Sequence, residues 1–136
     1  MKAYTDINQS KKLAEILPLE SADMHYNNAS FKGINYVSTY KVELMDYNAA
    51  QKVLSMFTNP FLEIIPCWSL AALLDTLKDF NPDIMFLRGT TFWHEARLTN
   101  VWRLSTSSRD VEDAYADNQV DACYEMILKL KERDLL

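Results

Sequence analysis

The stretch FLEIIPCWSLAALLDTLKDF, residues 61–80, carries a strand and a helix side by side, and its reading decides the fold class. Phe61 to Ile65 is apolar and β-prone apart from Glu63, which predicts a short strand. Pro66 lacks an N–H and fixes φ, so the strand is expected to break there. Ser69 offers its hydroxyl to the first free N–H groups of a helix, and Trp68 and Leu73 are spaced as a hydrophobic staple across that start. Leu70, Leu73, Leu74 and Leu77 then recur at helical spacing as one apolar stripe, and Asn81-Pro82 ends the helix near residue 80.

Working outward toward the C-terminus, Ile84 to Thr106 is rich in β-branched and aromatic residues. Gly89 and Thr99-Asn100 divide it into DIMFLRG, FWHEARL and VWRLSTS, which predicts a three-stranded meander. A two-residue turn at Thr99-Asn100 would pair Leu98 with Val101. Phe92, Ala96, Leu98 and Val101 would then share the core face, and Trp93, Glu95, Arg97 and Trp102 the other. The acidic run from Ser107 to Asp117 reads as a connector. Beyond it Asn118 caps a last helix, near 118–133, with Asp121 in its first turn and a core stripe of Val120, Cys123, Ile127 and Leu130.

Toward the N-terminus, Asp6 and Gln9 have the spacing of a capping box that opens a helix over Asp6–Leu17, stopped by Pro18. Leu19 to Gly33 reads mostly as loop. Tyr36 to Leu44 alternates, with Tyr36, Tyr40, Val42 and Leu44 on one face, and predicts a half-buried strand. Ala50, Val53, Leu54 and Phe57 predict a short helix before Asn59-Pro60. The sum is an α+β chain, a single domain over residues 1–136, with three main helices packed on an antiparallel sheet of four or five strands.

Composition then removes whole classes of function. The chain has 136 residues, near the commonest domain size, and 49% hydrophobic with 24% charged residues is the balance of a globular protein. A formal net charge of −5 argues against neutralising a phosphate backbone, so nucleic acid is not the expected partner. Lys129, Lys131 and Arg133 fall in the last turns of the final helix, where cations complement the dipole. The opening MKAYTDINQSKK has no apolar stretch of a secretory signal, and Phe61–Leu74 is interrupted by Glu63 and Pro66 and is too short to span a bilayer. A cytoplasmic protein without membrane contact is expected, its Cys67 and Cys123 buried and reduced.

Only two glycines, Gly33 and Gly89, are present, and phosphate-cradling loops need several, so no nucleotide cofactor is expected. His25, Cys67, His94 and Cys123 are each isolated from further ligands, which gives no metal site. Asp113, Asp117 and Asp121 are spaced by helical turns but lack the alternating oxygens and central glycine of a calcium loop, and read as a solvated face. His94, Glu95 and Arg97 suggest a general base with a partner, yet strand alternation points His94 away from Glu95. No catalytic residue is assigned. Trp93, Arg97 and Trp102 are the candidate partner-binding residues, because aromatics with an arginine opposite the core have the composition of an interaction hot spot.

Three blocks, TDINQSKKLAEILPLESADM, IPCWSLAALLDTL and ADNQVDACYEMILKLKERDLL, resemble a family of short uncharacterised proteins of gut anaerobic bacteria and their prophages and mobile elements. The resemblance covers a little under half of the chain and carries no activity, so it implies no site residue. The intervening segments, Asn27–Asn59 and Asp83–Asp117, match nothing in that family and would hold any specificity. The expectation is a non-catalytic interaction or accessory protein that binds an unidentified protein partner or itself. Two alternatives stand beside it: a small enzyme using His94 or a carboxylate pair, and a nucleic-acid-associated regulator with a local basic field.

Overall fold

The computed structural model describes residues 2–27, 41–55, 63–93 and 96–136. Along them run α1 (Ile7–Ala14), β1 (Met24–Asn27), β2 (Lys41–Glu43), α2 (Tyr47–Leu54), β3 (Ile64–Cys67), α3 (Leu70–Thr76), β4 (Asp83–Trp93), β5 (Ala96–Ser105), β6 (Ala114–Ala116) and α4 (Gln119–Glu132). This is the α+β class. The strands are shared between two antiparallel sheets of three, in the orders β2-β1-β3 and β4-β5-β6, where the sequence suggested one sheet. By its internal contacts the chain forms two compact units, Tyr4–Ala72, and Leu73–Leu136 together with Met1–Ala3.

In the unit Tyr4–Ala72, α1 begins as its sequence dictates. The Asp6 carboxylate accepts from Gln9 N–H at 2.8 Å, and Gln9 Oε1 accepts from Asp6 N–H at 3.1 Å. The helix stops at Ala14, earlier than expected, because Ile16 and Leu17 both donate to Leu13 O and tighten the last turn ahead of Pro18. Leu19 to Gly33, read as mostly loop, contains a 3-10 turn at Leu19–Ser21 and then β1, the central strand of its sheet. All four β1 residues are buried, so the strand shows no alternation to detect.

Pro66 does not end β3 but lies inside it, opposite His25, with Met24 opposite Cys67 and Tyr26 opposite Ile65. The strand tolerates proline because, among the described residues, its sheet neighbour is β1 alone, and an edge position does not require the missing N–H. Ser69 does cap α3, accepting from Ala72 N–H at 3.2 Å while donating its own hydrogen to Asp23. Of the strand expected over Tyr36–Leu44, only β2 falls within the described residues up to Glu43. The chain bends after it, which leaves Leu44 83% exposed where alternation had put it in the core. In α2, Asp46 caps the start by accepting from Ala49 N–H at 2.8 Å, and Ala50 is buried; Phe57 and the side chains of Val53 and Leu54 lie outside the described residues.

In the unit Leu73–Leu136, the α3 helix gives way after Thr76 to a 3-10 turn, Lys78–Phe80, closed by Asn81 in the left-handed region at φ 49°. Pro82 follows. The expected meander is a long two-stranded hairpin, β4 with β5, and the two sequence breaks face each other across it. The register pairs Leu87 with Val101 and then Thr90 with Thr99, so Arg88 and Gly89 together oppose Asn100, whose φ is 54°. Gly89 and Asn100 thus mark the two sides of one β-bulge, and Leu98 pairs with Thr91 instead of Val101. The supposed connector Ser107–Asp117 contains β6, which pairs Ala114 with Leu104 and Ala116 with Trp102.

α4 begins at the expected cap, Asn118 Oδ1 accepting from Asp121 N–H at 2.8 Å. Val120, Cys123, Ile127 and Leu130 are fully buried as the stripe requires, joined by Ala122 and Met126 and by Leu73, Leu77, Leu104 and Ala114. Each large side chain removed from water this way contributes about 1.5–3 kcal/mol, which makes this apolar layer the main support of the unit. The helix closes with Asp134 at φ 55°, its N–H on Lys131 O and that of Leu135 on Leu130 O, a Schellman ending with aspartate in the position glycine usually fills.

Candidate functional site

β4 is an eleven-residue strand whose sheet neighbour among the described residues is β5 alone, so its outer edge carries main-chain donors and acceptors with no strand beside them. Its first half is apolar on both faces. On one, Ile84 pairs with Leu104 and Phe86 with Trp102, alternate rungs of the ladder. That face also carries the fully buried Leu104 and Ala114, so Trp102 lies on the core side of the sheet and Val101 on the opposite one, the reverse of the sequence reading. The cause is that β5 runs straight on through Asn100, where a turn had been expected.

Trp102 is half-buried, its ring 5.1 Å from that of Phe86 at a tilt of 51°. Phe86 is 38% exposed and closes this aromatic pair toward solvent. On the other face Met85, 45% exposed, pairs with Arg103. The Arg103 guanidinium reaches Met85 Sδ at 3.6 Å, and its Nε is buried without a hydrogen-bond partner among the described residues. Asp83 and Arg88, both exposed, bracket the apolar run. The result is an open strand edge with Phe86 above it, Met85 below it and opposite charges at its ends.

Of the three expected partner-binding residues, Trp102 belongs to this surface. Trp93 pairs with Ala96 and Arg97 with Phe92, on adjacent rungs farther along the hairpin, and the side chains of Trp93 and Arg97 lie outside the described residues. So do His94 and Glu95. Met85 and Phe86 escaped the sequence reading because DIMFLRG looks the same whether its strand is central or at an edge. The only signal was the density of large apolar residues on both alternation sets.

Elsewhere the polar groups serve the fold. Thr5 is the hub of a buried cluster: its Oγ1 lies 2.7 Å from Ser10 Oγ and accepts from Trp68 N–H at 3.2 Å, and its carbonyl accepts from Tyr26 Oη at 2.6 Å. Cys67 packs into the same cluster, its Sγ 3.7 Å from Thr5 Oγ1. Burial pushes the Cys67 thiol up from its ordinary value despite the neighbouring hydroxyls, and burial with the adjacent Cys67 does the same to the Tyr26 phenol. A thiol held protonated is a poor nucleophile. Burial alone pushes Cys123 up to about 12. Both cysteines are buried and free.

His25 Nδ1 sits 2.7 Å from Met45 O, which can only accept, so Nδ1 carries the hydrogen and Nε2 accepts from the Asn27 amide at 3.3 Å. An open cleft of about 490 Å³ is lined by Glu20, Asp23, Asp46 and Lys52, but Asp23 is engaged by Ser69 and Asp46 by the start of α2. Asp121 is paired with Lys2 at 2.7 Å and bonded to Asn118. Among the described residues no three His, Cys, Asp or Glu side chains converge as metal ligands, and no helix is long and apolar enough to cross a membrane. Comparison with protein families, with characterised proteins and with solved structures finds no match to this chain.

Proposed function

We propose that this chain is a non-catalytic interaction protein that binds extended polypeptide along the outer edge of β4. The observation that carries the reading is the apolar run Ile84–Leu87 on an edge strand, with Met85 and Phe86 exposed and Phe86 packed at a tilt against Trp102. An added strand would draw its affinity from main-chain hydrogen bonds to the edge and its selectivity from side chains packing beside Phe86 and Met85. Arg103 below and the half-buried Trp102 above are residue types that concentrate binding energy. The resemblance of the three sequence blocks supports an accessory role in a prophage or mobile element, and a cytoplasmic setting fits two buried, free thiols. An enzyme finds less support, since the described thiols are held protonated and two of the three cleft carboxylates, Asp23 and Asp46, are already hydrogen-bonded at the starts of α3 and α2.

The test is selection of random peptides from a displayed library on the wild-type protein and on the double variant Met85→Lys, Phe86→Lys. The wild type is expected to enrich extended, apolar-alternating sequences with micromolar affinity, and the variant to lose at least ten-fold. Equal enrichment on both proteins would reject the β4 edge as the binding surface.

A further inference from the structure

Resting on that reading, we infer that the polypeptide bound at the β4 edge is amphipathic and carries an acidic residue beside Met85, held there by the Arg103 guanidinium. The docking run is Asp83–Leu87, since the bulge at Arg88 and Gly89 changes the pairing geometry beyond it. Strand alternation gives the two faces of that run different chemistry. On one, Ile84 and Phe86 lie beside Leu104 and Trp102, with no charged residue among them. On the other, Asp83, Met85 and Leu87 lie beside Ser105, Arg103 and Val101. A strand added to this edge therefore sets apolar side chains next to Phe86 and meets a cation on the opposite face.

Arg103 lacks the partner its charge calls for. Among the described residues no carboxylate lies within ion-pair distance of it, and its Nε is buried without an acceptor. The guanidinium is met instead by Met85 Sδ, an exposed contact at 3.6 Å. A thioether is a weak acceptor, whereas a carboxylate takes two guanidinium N–H groups at once. The same contact gives the direction in which Arg103 reaches: from β5 along its rung to Met85, on the strand that forms the open edge. An incoming strand lies about 4.8 Å beyond β4, a gap that a glutamate opposite Met85 spans to reach the guanidinium. Asp83 sets the register, because it is exposed on the same face two residues earlier and disfavours an acid opposite itself. The expected ligand alternates, with apolar residues toward Phe86 and a carboxylate toward Arg103.

Random peptides displayed on phage are selected on the wild-type chain and on Arg103→Gln, and the tightest wild-type binder is then synthesised with its acidic residue and with glutamine in its place. Wild-type selections are expected to hold Glu or Asp at one fixed position among alternating apolar residues, and those on Arg103→Gln to keep the alternation and lose the acid. The glutamine peptide should bind wild type about ten-fold more weakly than its acidic parent, and the two should bind Arg103→Gln within about two-fold of each other. Selections without an acid preference, an acid preference that Arg103→Gln retains, or a glutamine peptide as tight as its parent on wild type would each overturn the assignment to Arg103 while leaving the edge reading in place. The comparison of the two peptides on wild type needs no protein variant, so a misfolded Arg103→Gln leaves the test intact. A wild type that enriches no peptide, or an acidic peptide that binds the Met85→Lys, Phe86→Lys protein equally well, would end both.

Discussion

The two units solve the problem of a small core in different ways. In Tyr4–Ala72 the described strands are three or four residues long, and beside Leu13, Leu17, Met24, Tyr26, Ile65, Cys67 and Trp68 the buried set includes the polar Thr5, Ser10, His25 and Asn27. In Leu73–Leu136 a fourteen-residue amphipathic helix lays six buried apolar side chains against β5 and β6, and no polar residue described there is fully buried. Short strands bury little apolar surface each, so the first unit depends on satisfying its polar groups. The second depends on area. That difference predicts which substitutions hurt, and how.

The largest effect is expected where area dominates. Leu130→Ala should cost about 3 kcal/mol, the transfer of a fully buried leucine plus the cavity it leaves, read as a lowered urea midpoint with unchanged slope. A loss below 1 kcal/mol would mean that the α4 layer is far less tightly packed than the burial of its stripe implies.

Thr5→Ala should come next, at about 2 kcal/mol, although it removes fewer atoms. It strands the Trp68 N–H and removes the hydroxyl paired with Ser10 Oγ inside a buried site, and an unpaired buried donor costs about 1–3 kcal/mol. Thr5→Ser keeps the oxygen and should recover more than half of the loss in the same denaturation experiment. If serine fares no better than alanine, the methyl group is what matters, and the contrast between a polar and an apolar unit collapses.

The same contrast explains how far each unit could be read from the sequence. The caps at Asp6, Ser69 and Asn118 and the stripe of α4 were legible because they are local, a side chain answering a backbone group three positions on or a repeat along one helix. β1 was not legible, since a strand buried on both faces shows no alternation and MHYN has no β-branched residue. Gly89 and Asn100 were rightly noticed as breaks, but a break seen in sequence is the same whether it turns the chain or bulges it, and only the pairing partner tells. Pro66 and β6 failed for that reason too: proline tolerance depends on lying at an edge, and a three-residue strand exists only because β5 is beside it. The candidate surface shares the limit. Trp102 was singled out for its chemistry but placed on the wrong face, and Phe86 and Met85 became visible only once β4 proved to be an edge.

The smallest effect is also the one that separates the units by titration. Burial raises Cys123 from an ordinary value of 9.0 to about 12, and raises Cys67 and Tyr26 in the same direction. In each case the folded chain holds the neutral form, so above pH 9 the unfolded chain has shed protons that the folded chain still keeps. The contribution is fully present below the ordinary thiol value and is lost as pH rises through the folded one, so stability should fall between about pH 9 and pH 12. At pH 10, under reducing conditions, the loss from Cys123 should be about 1 kcal/mol relative to pH 8. Cys123→Ala should remove the Leu73–Leu136 share and leave the slope due to Cys67 and Tyr26, both in the polar unit. A Cys123→Ala protein as steeply alkali-sensitive as wild type would assign the whole titration to the Thr5 cluster, which would make that polar cluster, and not the α4 layer, the part of the fold that base attacks first.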